Sequence, residues 1–130
     1  MILVLDTSIL IDLEKGHAET IDRLRDLAKQ HPFPAQITFI TQFEFLYGIT
    51  ERGSKNKAKA LEFLSKFAVM NTTVHTAHTL AQLKQESEKK AKNMSLADLI
   101  IASLVIEKHF TLITRDRDFE KINELNKMIF

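Results

Sequence analysis

Ile2-Leu3-Val4-Leu5-Asp6-Thr7-Ser8-Ile9-Leu10-Ile11 opens on four consecutive apolar residues, stops them with an acid and two hydroxyl side chains, then resumes an apolar run. An uninterrupted aliphatic run suits a parallel strand buried on both faces, because an antiparallel strand with one wet face would alternate. Asp6 ends the strand. Thr7 or Ser8 can then cap a short helix carrying Ile9, Leu10, Ile11 and Leu13, which Gly16 can close.

The same alternation of short aliphatic runs with longer helical stretches continues along the chain and gives an α/β reading. Ile21, Leu24, Leu27 and Ala28 share one face of a second helix, stopped by Pro32 and Pro34. Gln36 to Ile40 is the next strand, with Thr41 as N-cap of a mostly apolar helix through Phe43, Glu44, Phe45, Leu46 and Tyr47 to Gly48. Ser54 opens a helix whose Leu61, Leu64, Phe67 and Ala68 form a stripe opposite Lys55, Lys57 and Lys59, a face that reads as solvated. Val69 to Asn71 is a short strand candidate. From Thr76 a helix presents Ala77, Leu80, Ala81 and Leu83 and becomes wholly polar beyond Lys84. Ala97 to Glu107 is apolar nearly all round, as a buried central helix must be. Thr111 to Thr114 is a strand, and Met128 to Phe130 a final edge strand.

With 130 residues, 45% of them hydrophobic and 27% charged, the chain has room for one domain, 1–130, and a core to hold it. The absence of cysteine excludes disulfide scaffolds, thiolate-ligated zinc and cysteine nucleophiles. The first residues lack a basic segment and a cleavage site, and no apolar run is long enough to span a bilayer, so a cytoplasmic protein without a membrane partner is expected. If four acids gather in one site, the net charge of +1 leaves the remaining surface at +5, which suits an anionic partner.

Ligands of open α/β sheets bind beyond the carboxyl ends of the strands, and here those positions are acidic. Asp6 follows the first strand, Asp116 and Asp118 follow Thr114, Glu44 lies in the first turn after Gln36 to Ile40, and Asp98 begins the central helix. Each has a plain alternative: Asp6 as a strand end or helix cap, Glu44 and Asp98 as first-turn acids, Asp116 and Asp118 as a solvated turn. Those alternatives account poorly for Phe43-Glu44-Phe45-Leu46 and Leu96-Ala97-Asp98-Leu99-Ile100, because acids among such neighbours are usually paired or metal-bound.

Gathered carboxylates repel, and a hard divalent cation such as Mg²⁺ or Mn²⁺ relieves them. Zinc fits poorly, since His17, His31, His75, His78 and His109 form no ligand repeat. A carboxylate cage of this kind serves phosphodiester hydrolysis, in which a metal-activated water attacks phosphorus in line. No Gly-x-Ser-x-Gly elbow and no glycine-rich phosphate loop is present to support acyl transfer, nucleotide hydrolysis or dinucleotide chemistry.

Leu3-Val4-Leu5-Asp6-Thr7-Ser8-Ile9-Leu10-Ile11, Thr41-Gln42-Phe43-Glu44-Phe45-Leu46-Tyr47-Gly48, Asp98-Leu99-Ile100-Ile101-Ala102 and Leu112-Ile113-Thr114-Arg115-Asp116-Arg117-Asp118-Phe119 together resemble the four signature blocks of PIN-domain ribonucleases, in particular VapC-like toxins of toxin–antitoxin pairs. The resemblance spans almost the whole chain and implies a three-layer α/β/α fold around a parallel sheet of four to five strands. It implies Asp6, Glu44, Asp98 and Asp116 as catalytic metal ligands, Asp118 as an additional acid, and Thr7 or Ser8 and Thr114 as supporting hydroxyls. It further implies an Mg²⁺- or Mn²⁺-dependent endoribonuclease acting on structured RNA such as tRNA or rRNA loops, a homodimer, and a small antitoxin partner. Arg115 and Arg117 are candidates for RNA phosphate contacts or for internal counter-ions. Many relatives carry a glycine before the third acid; here Lys92-Asn93-Met94-Ser95-Leu96-Ala97 offers Asn93 as the residue able to adopt the left-handed turn. An RNA-maturation nuclease without antitoxin, and a non-catalytic RNA- or protein-binding module, are the alternative readings.

Overall fold

In a computed structural model covering residues 1–130, five short strands form one parallel sheet in the order β3-β2-β1-β4-β5. The strands are β1 (Leu3–Leu5), β2 (Gln36–Thr38), β3 (Ala68–Met70), β4 (Thr111–Thr114) and β5 (Lys127–Ile129). Six helices connect them: α1 (Thr7–Lys15), α2 (Ala18–Ala28), α3 (Phe39–Gly48), α4 (Ser54–Leu64), α5 (Thr76–Lys89) and α6 (Leu96–Lys108), with a 3₁₀ turn at Arg117–Lys121 between β4 and β5. No helix is long and apolar enough to cross a membrane.

The strand order reverses beside β1. The chain first builds outward through β2 and β3, then returns to pair β4 with the other side of β1 in the register Leu3 with Thr111, Val4 with Leu112 and Leu5 with Ile113. Loops leaving β1 and β4 therefore diverge to opposite sides of the sheet and leave a crevice at their carboxyl ends.

Alternation along the strands divides the core in two. Val4 and Leu112 face a cluster with Leu83 of α5, Leu99, Ile101, Leu104 and Val105 of α6, and Phe119. Leu3, Leu5, Ile37 and Ile113 face the opposite cluster, with Ile9 and Leu10 of α1, Phe45 of α3, and Ala60 and Leu64 of α4. This is the three-layer α/β/α arrangement with the upper expected strand count. Fully burying each such aliphatic side chain contributes roughly 1.5–3 kcal/mol, so β1, covered on both faces, anchors the fold.

Several local expectations are corrected. Strand β2 stops at Thr38 rather than Ile40, because the Thr38 hydroxyl accepts the Thr41 N–H (3.2 Å) and caps α3 itself; Thr41 is inside the helix and Glu44 in its second turn. The N-cap of α1 is Asp6 rather than Thr7 or Ser8, by backbone position only: its carbonyl accepts from Ile9 and Leu10, and its carboxylate is engaged elsewhere. Helix α4 ends at Leu64, so its buried face is Ala60 and Leu64, whereas Leu61 is exposed, Phe67 follows the helix and Ala68 already belongs to β3. β3 and β5 each lie one residue earlier than expected. The left-handed residue after α5 is Ala91 (φ 53°), not Asn93, because the reversal sits directly at the helix end, where Lys92 N–H reaches the Ser87 carbonyl (2.8 Å). Gly16 closes α1 in the left-handed conformation as expected (φ 73°).

Candidate active site at the carboxyl edge of β1 and β4

Asp6 leaves β1 with only 7% of its surface exposed, and its Oδ2 accepts a hydrogen bond from Thr114 Oγ1 at 2.6 Å. Thr114, the last residue of β4, is fully buried, and the same hydroxyl oxygen accepts the Asp116 N–H at 3.0 Å. Burial pushes the Asp6 carboxyl above its ordinary range; the Thr114 hydroxyl and the Thr7 N–H oppose the rise, while the charges of Glu44 and Asp116 add to it.

Asp98 stands in the first turn of α6, whose N-cap Ser95 accepts the Asp98 N–H at 3.1 Å. Burial and then the charge of Asp116, with smaller contributions from Asp6 and Glu44, push its carboxyl up to about 6 against the Ser95 hydroxyl. Asp116 caps the 3₁₀ turn, its Oδ1 accepting the Asp118 N–H at 2.9 Å. Asp98, Asp116 and Asp118 thereby each bring one carboxylate oxygen within 4.8 Å of the others. The rise at Asp98 comes first from burial of its carboxyl and second from the like charge of Asp116.

Glu44 arrives from α3 on another side. Thr7 Oγ1 donates to Glu44 Oε1 at 2.6 Å and lies 3.2 Å from Thr41 Oγ1, so α1 holds the carboxylate by a hydroxyl. Glu44 is exposed, and so are its neighbours Phe43, Leu46 and Tyr47; only Phe45 points into the core. The apolar surroundings that made Glu44 conspicuous are a surface feature, with Phe43 and Tyr47 stacked at 6.1 Å between ring centroids. Phe63 and Phe67 pack against the core beside Phe45.

Thr7 thus engages Glu44 and Thr114 engages Asp6, whereas Ser8 touches no carboxylate: its hydroxyl accepts the Arg115 N–H at 3.3 Å. Arg115 lies against Asp12 (3.2 Å) and Arg117 against Glu120 (2.8 Å), so both arginines have acidic partners within the chain. The Arg117 pair is exposed and worth little, while Asp12 is buried and makes Arg115 an internal counter-ion. Asp12 escaped the reading of the sequence because it sits inside the α1 apolar run; an acid between Ile11 and Leu13 was its only signal. Equally unforeseen is the Arg52 and Glu14 pair, in which Arg52 Nη2 donates to Glu14 Oε1 at 2.8 Å and ties α1 to the loop after α3.

The PIN domain family matches residues 3–125. The chain belongs to the PIN-domain family. A relative, Ribonuclease VapC1 of Rickettsia felis, is 30% identical over 131 residues, covering 95% of this PIN domain chain and 92% of that protein. The crystal structure of VapBC2 from Rickettsia felis, bound to a DNA fragment from its promoter, superposes with a TM-score of 0.87 at 26% identity, covering 100% of this chain and 99% of that one. A toxin–antitoxin complex from Klebsiella pneumoniae superposes at 0.73 with 28% identity, covering 95% and 94%. The carboxylate cluster of this PIN domain is hard and oxygen-only, built at the crevice the fold itself creates.

Proposed function

We propose that this PIN-domain chain is an Mg²⁺- or Mn²⁺-dependent endoribonuclease, the toxin of a toxin–antitoxin pair, acting in the cytoplasm on loops of structured RNA such as tRNA or rRNA. The observation that carries the reading is the convergence of Asp98, Asp116 and Asp118, with Asp98 near 6, beside the buried Asp6. Asp6, Glu44, Asp98 and Asp116 are assigned to holding the cation, with Asp118 as a further ligand. The fit is good, because the donors are all carboxylate oxygens and their mutual repulsion is relieved by a hard divalent charge. When bound, such an ion polarises the phosphoryl oxygen and lowers the pKa of a water to make a nucleophile.

The chain's own residues supply the geometry. Thr114 fixes Asp6 and the Asp116 backbone through one hydroxyl, and Thr7 holds the Glu44 carboxylate through another. Glu44 and Asp118 are exposed, so a phosphodiester strand can approach from solvent. Unpaired RNA is the favoured substrate because its backbone is accessible and its bases can be splayed out and read.

Likeness to VapBC complexes supports a small antitoxin partner. We assign the exposed apolar face of α3, with Phe43 60% and Tyr47 72% exposed, to a second copy of the chain, which sedimentation tests directly. The decisive experiment incubates purified protein with tRNA and rRNA, with and without Mg²⁺ or Mn²⁺, beside Asp6→Asn. Discrete fragments requiring both metal and Asp6 are expected; metal-independent cleavage, or cleavage unaffected by Asp6→Asn, overturns the assignment.

A further inference from the structure

Asp12 is a buried carboxylate with both oxygens engaged. Oδ2 accepts the Thr20 hydroxyl at 2.7 Å, and Oδ1 lies 3.2 Å from Arg115 Nη2; the His17 ring stands 3.9 Å away. The tight turn at Gly16 makes this possible, since it starts α2 at once and brings Thr20 back over α1. Asp12 is thus a mostly buried carboxylate whose counter-ion is the half-exposed Arg115 guanidinium, and removing either partner leaves the other uncompensated.

Ser8 and Asp12 lie one helical turn apart on the same face of α1. Ser8 takes the Arg115 N–H at 3.3 Å and Asp12 takes its guanidinium, so α1 grips a single residue at its backbone and at its tip. The next residue is Asp116, and Asp118 hangs from Asp116 by its own N–H. The segment carrying two repelling acids is thus secured on one side by Thr114 and on the other by Arg115.

We propose that Asp12 is a positioning residue for the acid cluster, acting through Arg115 to hold the segment that presents Asp116 and Asp118. Without the grip, repulsion from Asp6 and Asp98 displaces that segment toward solvent. The consequence for metal affinity rests on the nuclease reading above; the consequence for backbone order does not.

The test compares the full-length protein with Asp12→Asn, Arg115→Gln and Thr20→Val. Amide hydrogen exchange at Arg115, Asp116 and Asp118 should quicken in Asp12→Asn and Arg115→Gln while β1 amides keep their protection. Thr20→Val, which removes the other partner of Asp12, should lower the melting temperature without that local quickening. By calorimetric titration, the Mn²⁺ dissociation constant should rise about tenfold in both Asp12→Asn and Arg115→Gln, the size expected when a residue supporting a metal ligand is lost. The double variant should be no worse than either single one, because the two residues act as a unit. Unchanged exchange at 115–118 in an Arg115→Gln variant that circular dichroism shows to be folded overturns the proposal even if Asp12→Asn fails to fold, since the Arg115 side chain is half-exposed and fills no core position. If Asp116→Asn also leaves Mn²⁺ binding intact, the nuclease reading falls on its own, and exchange alone then decides the role of Asp12.

Discussion

Thr114 and Asp6 stand 108 positions apart in the chain and share a buried hydrogen bond of 2.6 Å across β4 and β1. The bond joins the two loops that the strand order drives apart, and Thr114 spends its second hydrogen-bonding position on the Asp116 N–H. One hydroxyl therefore sets the spacing of two acids.

Thr114→Val keeps the volume and β-branching of the side chain and deletes both bonds. Leaving a buried carboxylate short of its donor costs about 1–3 kcal/mol, a loss that thermal unfolding will register. Because the lost bond favoured the charged form of Asp6, its pKa rises further, so the acid limb of any cleavage profile should move to higher pH. A variant with unaltered melting temperature and pH profile would remove Thr114 from the site.

Asp98 sets a pH dependence of the metal-free protein. Its folded pKa of about 6 lies above the ordinary 3.8, so the folded state binds more protons between these values. Stability from this group is fully present below about pH 4 and is lost as pH rises through 6. Asp98→Asn should thus raise the melting temperature at pH 8 in the absence of divalent ions, and the advantage should vanish near pH 4. Equal melting temperatures at pH 8 would mean that neither burial nor the charge of Asp116 penalises the ionised Asp98 carboxyl in the folded state.

Divalent cations should reverse that penalty. Adding Mn²⁺ at about a hundred times its dissociation constant stabilises the fold by roughly 2.7 kcal/mol, and chelation should undo it. Asp116→Asn should abolish the gain. Asp118→Asn should reduce it less, since Lys121 Nζ already lies 3.3 Å from Asp118 and offsets part of its charge. Calorimetry with and without chelator distinguishes these outcomes, and a gain undiminished in Asp116→Asn would exclude that residue as a ligand.

Phe119 supports the site from beneath. It is the buried residue of the 3₁₀ turn, packed in one cluster with α6 and one residue beyond Asp118. Phe119→Ala should cost about 3–5 kcal/mol through the cavity it leaves, measured by denaturant unfolding. A cost under about 1 kcal/mol would show that the turn relaxes into the space.

Much of this was legible in the sequence because period and chemistry coincide. The aliphatic run Ile2 to Leu5 and the nearly all-apolar α6 declare a doubly covered sheet, and acids following strands declare its functional edge. Thr38 was misread because Gln36 to Ile40 has strand composition throughout; only the side chain's return to the Thr41 N–H shows where the strand ends. Glu44 was noticed for a mistaken reason, since periodicity does not distinguish an apolar face turned outward from one turned inward. Arg115 was a counter-ion candidate, but its partner Asp12 was out of reach because the pairing depends on a register between α1 and the loop after β4 that no local pattern encodes.

The central place of β1 also governs when the protein becomes dangerous to RNA. Its early strand can find β2 soon after synthesis, but its other side stays unpaired until β4 is made. Domains can fold while still emerging from the ribosome, yet this sheet must wait for residues 111–114, and Asp116 and Asp118 come only after them. Contacts so distant along the chain form late and slowly. The acids consequently meet only when the chain through Asp118 has left the translating machinery, and a fragment released before β4 is made carries Asp6 and Glu44 without the partners that complete the site.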